Sequence, residues 1–217
     1  MTLGDTSIVL MAAALATTGG IGKGQDLPWT IPVDTQYLHE ITTKAYNAST
    51  TTTATTSSVT DRQWHNVVVH GRLSWESIPM KSIPMPQRFN IVISRNPSYK
   101  IASYPNASLV TSIHDAVDQA KQLVQNTQGR VFVLGGGQIY GQAMKLCTHI
   151  LLTRVHDAKQ SIVCDAFMPP VDTSLFVQAS HSELEGFVQQ PVPQGRQVCG
   201  DLEYEFLLYV RSTSLSP

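Results

Sequence analysis

"RVFVLGGGQIYGQAMKL", residues 130–146, runs from a β-branched apolar segment through three consecutive glycines into a helical pattern. Val131, Phe132 and Val133 read as a strand, and from Gly137 onward the apolar positions recur at helical spacing. "VVVHG" (67–71) followed by "RLSWES" repeats the arrangement, and "IVLMAAALA" (8–16), "FNIVISR" (89–95) and "HILLTRV" (149–155) are further apolar runs. Runs this continuous fit strands covered on both faces. Between them, "DTQYLHEITTKAY" (34–46) puts Leu38, Ile41 and Ala45 on one stripe. "SIHDAVDQAKQLV" (112–124) opens with Ser112 and Asp115 in capping-box spacing, then repeats Ile113, Ala116, Val117, Ala120, Leu123 and Val124 at helical intervals. The alternation predicts an α/β fold with a central, mostly parallel sheet and helices on both faces. At the end, "LFVQASHSEL" (175–184) and "EYEFLLYVR" (203–211) read as strands with no helix between them. A closing antiparallel hairpin is expected there.

The 217 residues allow one good-sized core, and a single domain over 1–217 is expected. Residues 49–60, "STTTTATTSSVT", lack the apolar content to pack and read as a solvated loop insertion. Only 14% of residues are charged and the net charge is -1, which provides no general field for nucleic acid or an anionic membrane. Any anion must be held by a few local cations. The 3 cysteines are odd in number and far apart, and the 7 histidines have no ligand spacing, so neither a disulfide framework nor a metal is expected. The apolar run at 8–16 is too short to span a bilayer and no cationic segment precedes it, so a cytoplasmic protein is expected.

"DLPWTIPVDTQYL" (26–38) raises a separate question, because Asp34 ends a nearly uncharged run just before a helix. Burying an unpaired carboxylate is costly, so on this stretch alone a helix N-cap is the favoured role. The glycines at 135–137 are a weak signal by themselves. A tight turn explains one of them, three exceed what packing usually asks, and free N–H groups at a helix start suit a phosphate. Gln138, Ile139 and Tyr140 follow, which departs from the dinucleotide fingerprint of a Rossmann dehydrogenase. Arg72 and Ser74 follow one strand, and Ser94 and Arg95 end another. Each arginine alone, Arg88 included, reads most simply as solvated.

Taken together, "GGIGKGQDLPW" with Asp34 beyond it, "GRLSWESIP", "MPQRFNIVISR", "VFVLGGGQIY", "LLTRV" and "CDAFMPP" resemble, in order and spacing, the dihydrofolate reductase family, its fungal and other eukaryotic members most of all. The resemblance spans about residues 7–211. It implies a dihydrofolate reductase-like fold and reduction of dihydrofolate by NADPH, with antifolate inhibitors as further ligands, in a monomer. By that resemblance Asp34 is the buried acid that bonds the pteridine's amino-pyrimidine edge, a role that outweighs the cap and is compatible with it. Leu27, Trp29 and Thr153 join it in the catalytic group. Ala14, Leu27, Leu38, Ile78, Met85 and Leu134 match the folate pocket, Arg88 the clamp on the glutamate carboxylate, and Tyr140 and Thr153 positions near the nicotinamide and the acid.

For the cofactor, the resemblance implies Ala14, Ile21 and Gly22 at the nicotinamide, and Gly71, Arg72, Leu73, Ser74, Ser94 and Arg95 around the phosphates. Gly135, Gly136, Gly137, Gln138, Ile139 and Tyr140 complete the set, with Gly135 and Gly136 matching a pair joined by a cis peptide. Three positions depart from the family's pattern: Leu38 for a phenylalanine, Leu73 for a lysine or histidine, and His70 for an apolar residue. Two rival readings remain, a reductase of the same fold acting on another heterocycle, such as a riboflavin-pathway pyrimidine, and a non-catalytic pterin- or nucleotide-binding descendant.

Overall fold

Strand β1 (Ile8–Leu15) is enclosed on both sides. Ile8, Leu10, Ala12 and Ala14 enter one core, while Val9, Met11 and Leu15 enter the other. A strand so placed meets no water on either face, so the sheet must be covered by helices twice. The computed structural model describes residues 6–46, 64–101, 104–125 and 129–212, and the Thr-rich stretch expected to be a loop lies outside them.

After β1 come β2 (Gly20–Gly22), α1 (Pro32–Thr43), β3 (Asn66–Gly71), α2 (Arg72–Ser77) and β4 (Arg88–Ile93). They are followed by β5 (Ala107–Val110), α3 (Ile113–Val124), β6 (Val131–Val133), α4 (Gly137–Ala143) and β7 (His149–Asp157). The remainder is β8 (Ala166–Phe167), β9 (Phe176–Gln178), α5 (His181–Val188), β10 (Gln197–Cys199) and β11 (Leu202–Arg211). The main sheet runs β10-β11-β7-β1-β6-β3-β4-β5. From β7 to β5 all neighbours are parallel; β11 is antiparallel to β7, and β9 and β10 share its outer edge. β2 and β8 pair separately. Helices α3 and α4 cover one face through Ile113, Ala116, Val117, Ala120, Ile139 and Ala143, while α1 and α5 cover the other through Tyr37, Ile41, Leu184 and Val188. Among the described residues no helix is long and apolar enough to cross a membrane.

Three local expectations are corrected. Asp34 is not the cap of α1: Ile31 is the N-cap residue and makes no side-chain cap bond. Pro32 starts the helix, since its fixed φ suits the first position and its missing N–H needs no partner there. That places Asp34 inside the first turn. Ala45 lies beyond the helix end and is exposed, so the stripe is completed by Tyr37 and Thr42 instead.

In the C-terminal region the two segments do pair antiparallel, as β9 and β11, but α5 takes the end of the first segment and separates them, so they are not a hairpin. Ser180 and Glu183 form a reciprocal capping box, and Leu184 and Val188 at i and i+4 supply the buried stripe. These local signals outweigh the β-branched composition upstream. The hairpin that closes the sheet is β10 to β11.

Distant segments are tied at the edge of the second core. Lys44, just past α1, donates to the carbonyls of Val188 and Gln189, each at 3.0 Å, so a cation meets the negative end of α5. The Arg130 guanidinium lies 3.5 Å from the Tyr46 ring centre and 4.0 Å from that of Phe187. Ser180→Ala removes one half of the α5 capping box and should cost ~0.5–2 kcal/mol. Chemical denaturation is expected to give a lower midpoint with an unchanged slope; an unchanged midpoint would mean that tertiary packing alone holds α5.

Candidate active site

The first turn of α1 points Asp34 at the middle of the sheet. Thr153 lies there on β7, between Ala13 of β1 and Phe206 of β11, and is buried. Its hydroxyl donates to Asp34 Oδ1 at 2.6 Å. Burial raises the Asp34 pKa, and the bond from Thr153 offsets part of that rise. No cation among the described residues lies within ion-pair distance of the carboxylate. Around it, the Trp29 indole N–H and the Tyr37 hydroxyl are buried and have no partner among the described residues. Leu27 is exposed, while Leu38, one turn after Asp34, is half-buried.

The same stripe of α1 reaches Thr42, whose hydroxyl donates to the Leu38 carbonyl at 2.7 Å and accepts from Arg88 Nη1 at 2.8 Å. Arg88 is therefore not the solvated arginine that the sequence alone favours. It is 2% exposed, and its Nε bonds the Pro86 carbonyl. Burial pulls its pKa down to about 10, which leaves it cationic at neutral pH. No described carboxylate pairs with it.

Two residues that the sequence did not single out fix this loop. Thr42 orients the guanidinium. Asn90, fully buried, bonds the Met85 backbone in both directions at 3.0 Å and the Arg88 carbonyl at 3.0 Å. A polar residue inside "FNIVIS" was the available signal, since a buried amide needs partners. His70 faces the same region, buried and neutral; desolvation and then the Arg88 charge push its pKa down to about 3. Met85, Ile78 and Leu134 are half-buried, and Met85 and Leu134 pack against the second core.

The glycine turn lies beside this face, where β6 leaves the sheet. The Gly135–Gly136 peptide is cis, and the Gly71 N–H donates to the Gly135 carbonyl at 2.6 Å. Each glycine has a packing reason, contrary to the expectation that three exceed it. A Cβ on Gly135, at φ +102, would meet the Tyr140 ring at 2.8 Å; on Gly136 it would meet Ser74 Oγ at 3.1 Å, and on Gly137 the Phe167 carbonyl at 2.1 Å. The Tyr140 hydroxyl is engaged with the Met11 carbonyl at 2.8 Å. Ile139 packs against Gly71, and Gln138 is exposed. Ala14 is buried, Ile21 half-buried, and Gly22 sits on β2 opposite Ala166.

Gly71 and Ile93 are register partners on β3 and β4, so Arg72 and the Ser94–Arg95 pair leave adjacent strand ends. Ser94 is buried, Leu73 and Arg95 are exposed, and Arg72 is paired with Glu76 at 2.9 Å. Among the described residues no group of His, Cys, Asp and Glu could hold a metal.

A family model described as dihydrofolate reductase matches residues 56–193. The chain belongs to the dihydrofolate reductase family. The Candida albicans dihydrofolate reductase is 30% identical over 211 residues, covering 94% of this chain and 97% of that protein. The Schizosaccharomyces pombe dihydrofolate reductase is 29% identical over 228 residues, which cover 96% of this chain and 48% of that relative. The Glycine max bifunctional dihydrofolate reductase-thymidylate synthase is 38% identical over 160 residues, or 72% of this chain and 27% of that protein. The chain thus spans about half or less of those last two relatives. Among solved structures, the Enterococcus faecalis dihydrofolate reductase, complexed with NADP(H) and RAB-propyl, superposes with a TM-score of 0.65 at 21% identity. That match covers 94% of this chain and 96% of the other, and it establishes the dihydrofolate reductase fold.

The folded pKa of Asp34 lies above its unfolded value, so folding favours the protonated acid. The stability this confers is present below the ordinary carboxylate range and is lost as pH rises through the folded pKa. Asp34→Asn has no such loss. In thermal melts the ligand-free variant should exceed the wild type at neutral pH, with the gap closing toward about pH 4. A variant that melts lower at neutral pH would mean that the carboxylate itself stabilises α1.

Proposed function

We propose that this chain reduces 7,8-dihydrofolate to tetrahydrofolate with NADPH, as a single-domain, monomeric, cytoplasmic dihydrofolate reductase. The observation that carries the reading is the pair formed by Asp34 and Arg88: a half-buried acid whose pKa is raised and a buried guanidinium, on one face of the sheet, each without a partner of opposite charge among the described residues. Dihydrofolate offers what both lack, an amino-pyrimidine head to donate to a carboxylate and a glutamate tail to meet a guanidinium.

The chain's own groups then have distinct tasks. Asp34 accepts from the pyrimidine edge, and a carboxyl whose pKa burial raises is suited to assist protonation of the ring imine. Thr153 holds the carboxylate in one orientation. Leu38, Ile78, Met85 and Leu134 wall the space between acid and cation and exclude water from it. Arg88, steadied by Thr42 and Pro86, receives the terminal carboxylate, a task suited to a planar fork.

The donor set at the ends of β3 and β4, Arg72, Arg95 and Ser94, fits a phosphate-bearing cofactor on a chain with a net charge of only -1. When bound, NADPH supplies the hydride. Gly71, Gly135, Gly136 and Ser74 form the adjoining backbone wall, and Ile21 and Gly22 lie on β2 at its border with β8.

Purified protein should oxidise NADPH only when dihydrofolate is present; NADPH binding without that dependence would remove the reading. Asp34→Asn should lower the rate by ~10²–10⁴, the usual worth of general acid–base help, and the deficit should shrink at low pH as solvent protonates the ring. A pH-independent deficit would assign Asp34 to binding alone. Leu38→Phe restores a flat aromatic surface and should tighten antifolate binding by ~0.5–1.5 kcal/mol beyond area. Titration with unchanged affinity would mean the pocket has packed closed around leucine.

A further inference from the structure

Arg72 opens α2 with its guanidinium already held. Its Nη1 donates to both carboxylate oxygens of Glu76, one helical turn along, at 3.0 and 2.9 Å. The two side chains are partly exposed, at 43% and 32%. Burial and then the neighbouring Glu76 carboxylate raise the pKa of Tyr99. Tyr99 belongs to the loop after β4, where its N–H bonds the Asn96 carbonyl and Asn96 in turn bonds Ser94 Oγ. The Glu76 carboxylate thus pairs with the start of α2 and lies near the loop that carries Ser94 and Arg95. Leu73, the neighbour of Arg72, contributes no second cation.

Helix electrostatics do not explain this pair. An arginine at the first position faces the positive end of the helix, and a glutamate in the last turn faces the negative end. Cation-before-anion is also the weaker order for an i,i+4 pair. What the arrangement does achieve is to occupy a cation that lies where a phosphate is expected.

We propose that Glu76 is an internal competitor for that phosphate: its carboxylate holds Arg72 until a 2′-phosphorylated nucleotide displaces it, so Glu76 sets how strongly NADPH is preferred over NADH. This rests on the proposed role of Arg72 at the ribose phosphate. NADH lacks the phosphate and need not displace anything. NADPH must break the pair and bring a dianion close to the carboxylate, so Glu76 weakens NADPH selectively.

The test is direct binding, by fluorescence or calorimetric titration, of NADPH, NADH and 2′,5′-ADP to the wild type, Glu76→Gln, Arg72→Ala, the double variant and Tyr99→Phe. Glu76→Gln should tighten NADPH and 2′,5′-ADP by roughly two- to fivefold, the range of an exposed ion pair, and leave NADH unchanged. In the Arg72→Ala background the same change should have a clearly smaller effect, because only the repulsion between carboxylate and phosphate is then left to relieve. Tyr99→Phe removes the hydroxyl beside Glu76 but spares the ion pair, and should tighten neither ligand. If Arg72→Ala weakens NADPH while Glu76→Gln does not tighten it, the competitor role is overturned and the phosphate assignment stands. If Arg72→Ala leaves NADPH unchanged, both fall. Equal tightening of NADH, or tightening by Tyr99→Phe, would assign the effect to loop mobility and overturn the proposal. The expected binding pattern in a protein that does not reduce dihydrofolate would uphold Glu76 and reject the reaction.

Discussion

The burial of β1 on both faces is the constraint on which the rest of the molecule depends. With Val9 and Leu10 both out of water, on opposite faces, two helical layers are compulsory, and parallel neighbours on either side require long connections to return across the sheet. Those connections carry α1, α2, α3 and α4 with their loops. Because the parallel strands all point the same way, their carboxyl ends gather along one edge, where the glycine turn, Arg72, Ser94 and Arg95 leave the sheet, whereas Arg88 opens β4 at the opposite end. Thr153 anchors the site from within, since a hydroxyl in mid-strand can bond a side chain from the helix above without disturbing the ladder.

Within the second core, acid and cation are kept apart instead of being joined. An ion pair between Asp34 and Arg88 would satisfy both, and buried pairs are common for that reason. Here each is held by neutral groups instead, Thr153 for the carboxylate and Thr42 with the Pro86 carbonyl for the guanidinium. Neutral partners fix orientation while leaving the charge uncompensated. The protein accepts the desolvation cost, visible as an acid shifted up and a guanidinium shifted down, and retains two strong points of attachment of opposite sign.

How much of this was legible in the sequence depended on how local each signal was. The parallel sheet, the glycine turn after β6 and the Ser112-capped α3 follow from period and composition over a few residues. So did Asp34 as an oddity in an apolar run. The helix start is not legible in the same way, because Pro32 continues the apolar run in the sequence and is a first helical residue only in the fold. α5 was hidden by its β-branched approach, although Ser180 and Glu183 stood at the spacing that caps it. The reasons for the glycines could not be seen, since Ser74, Tyr140 and Phe167 come from α2, α4 and β8 and meet only in three dimensions. Burial of Arg88 was equally invisible, because its partner Thr42 lies 46 positions away.

Asp34, Leu38 and Thr42 recur every fourth residue and so line one edge of α1. Thr42 carries Arg88, so this single helix sets both the place of the acid and the place of the cation. Eight residues at a rise of ~1.5 Å put the two stations ~12 Å apart along a rod that cannot stretch. α1 is in this sense a ruler. It measures a ligand by the span between its hydrogen-bonding head and its acidic tail, and a compound of correct chemistry but wrong reach can engage one station or the other, never both.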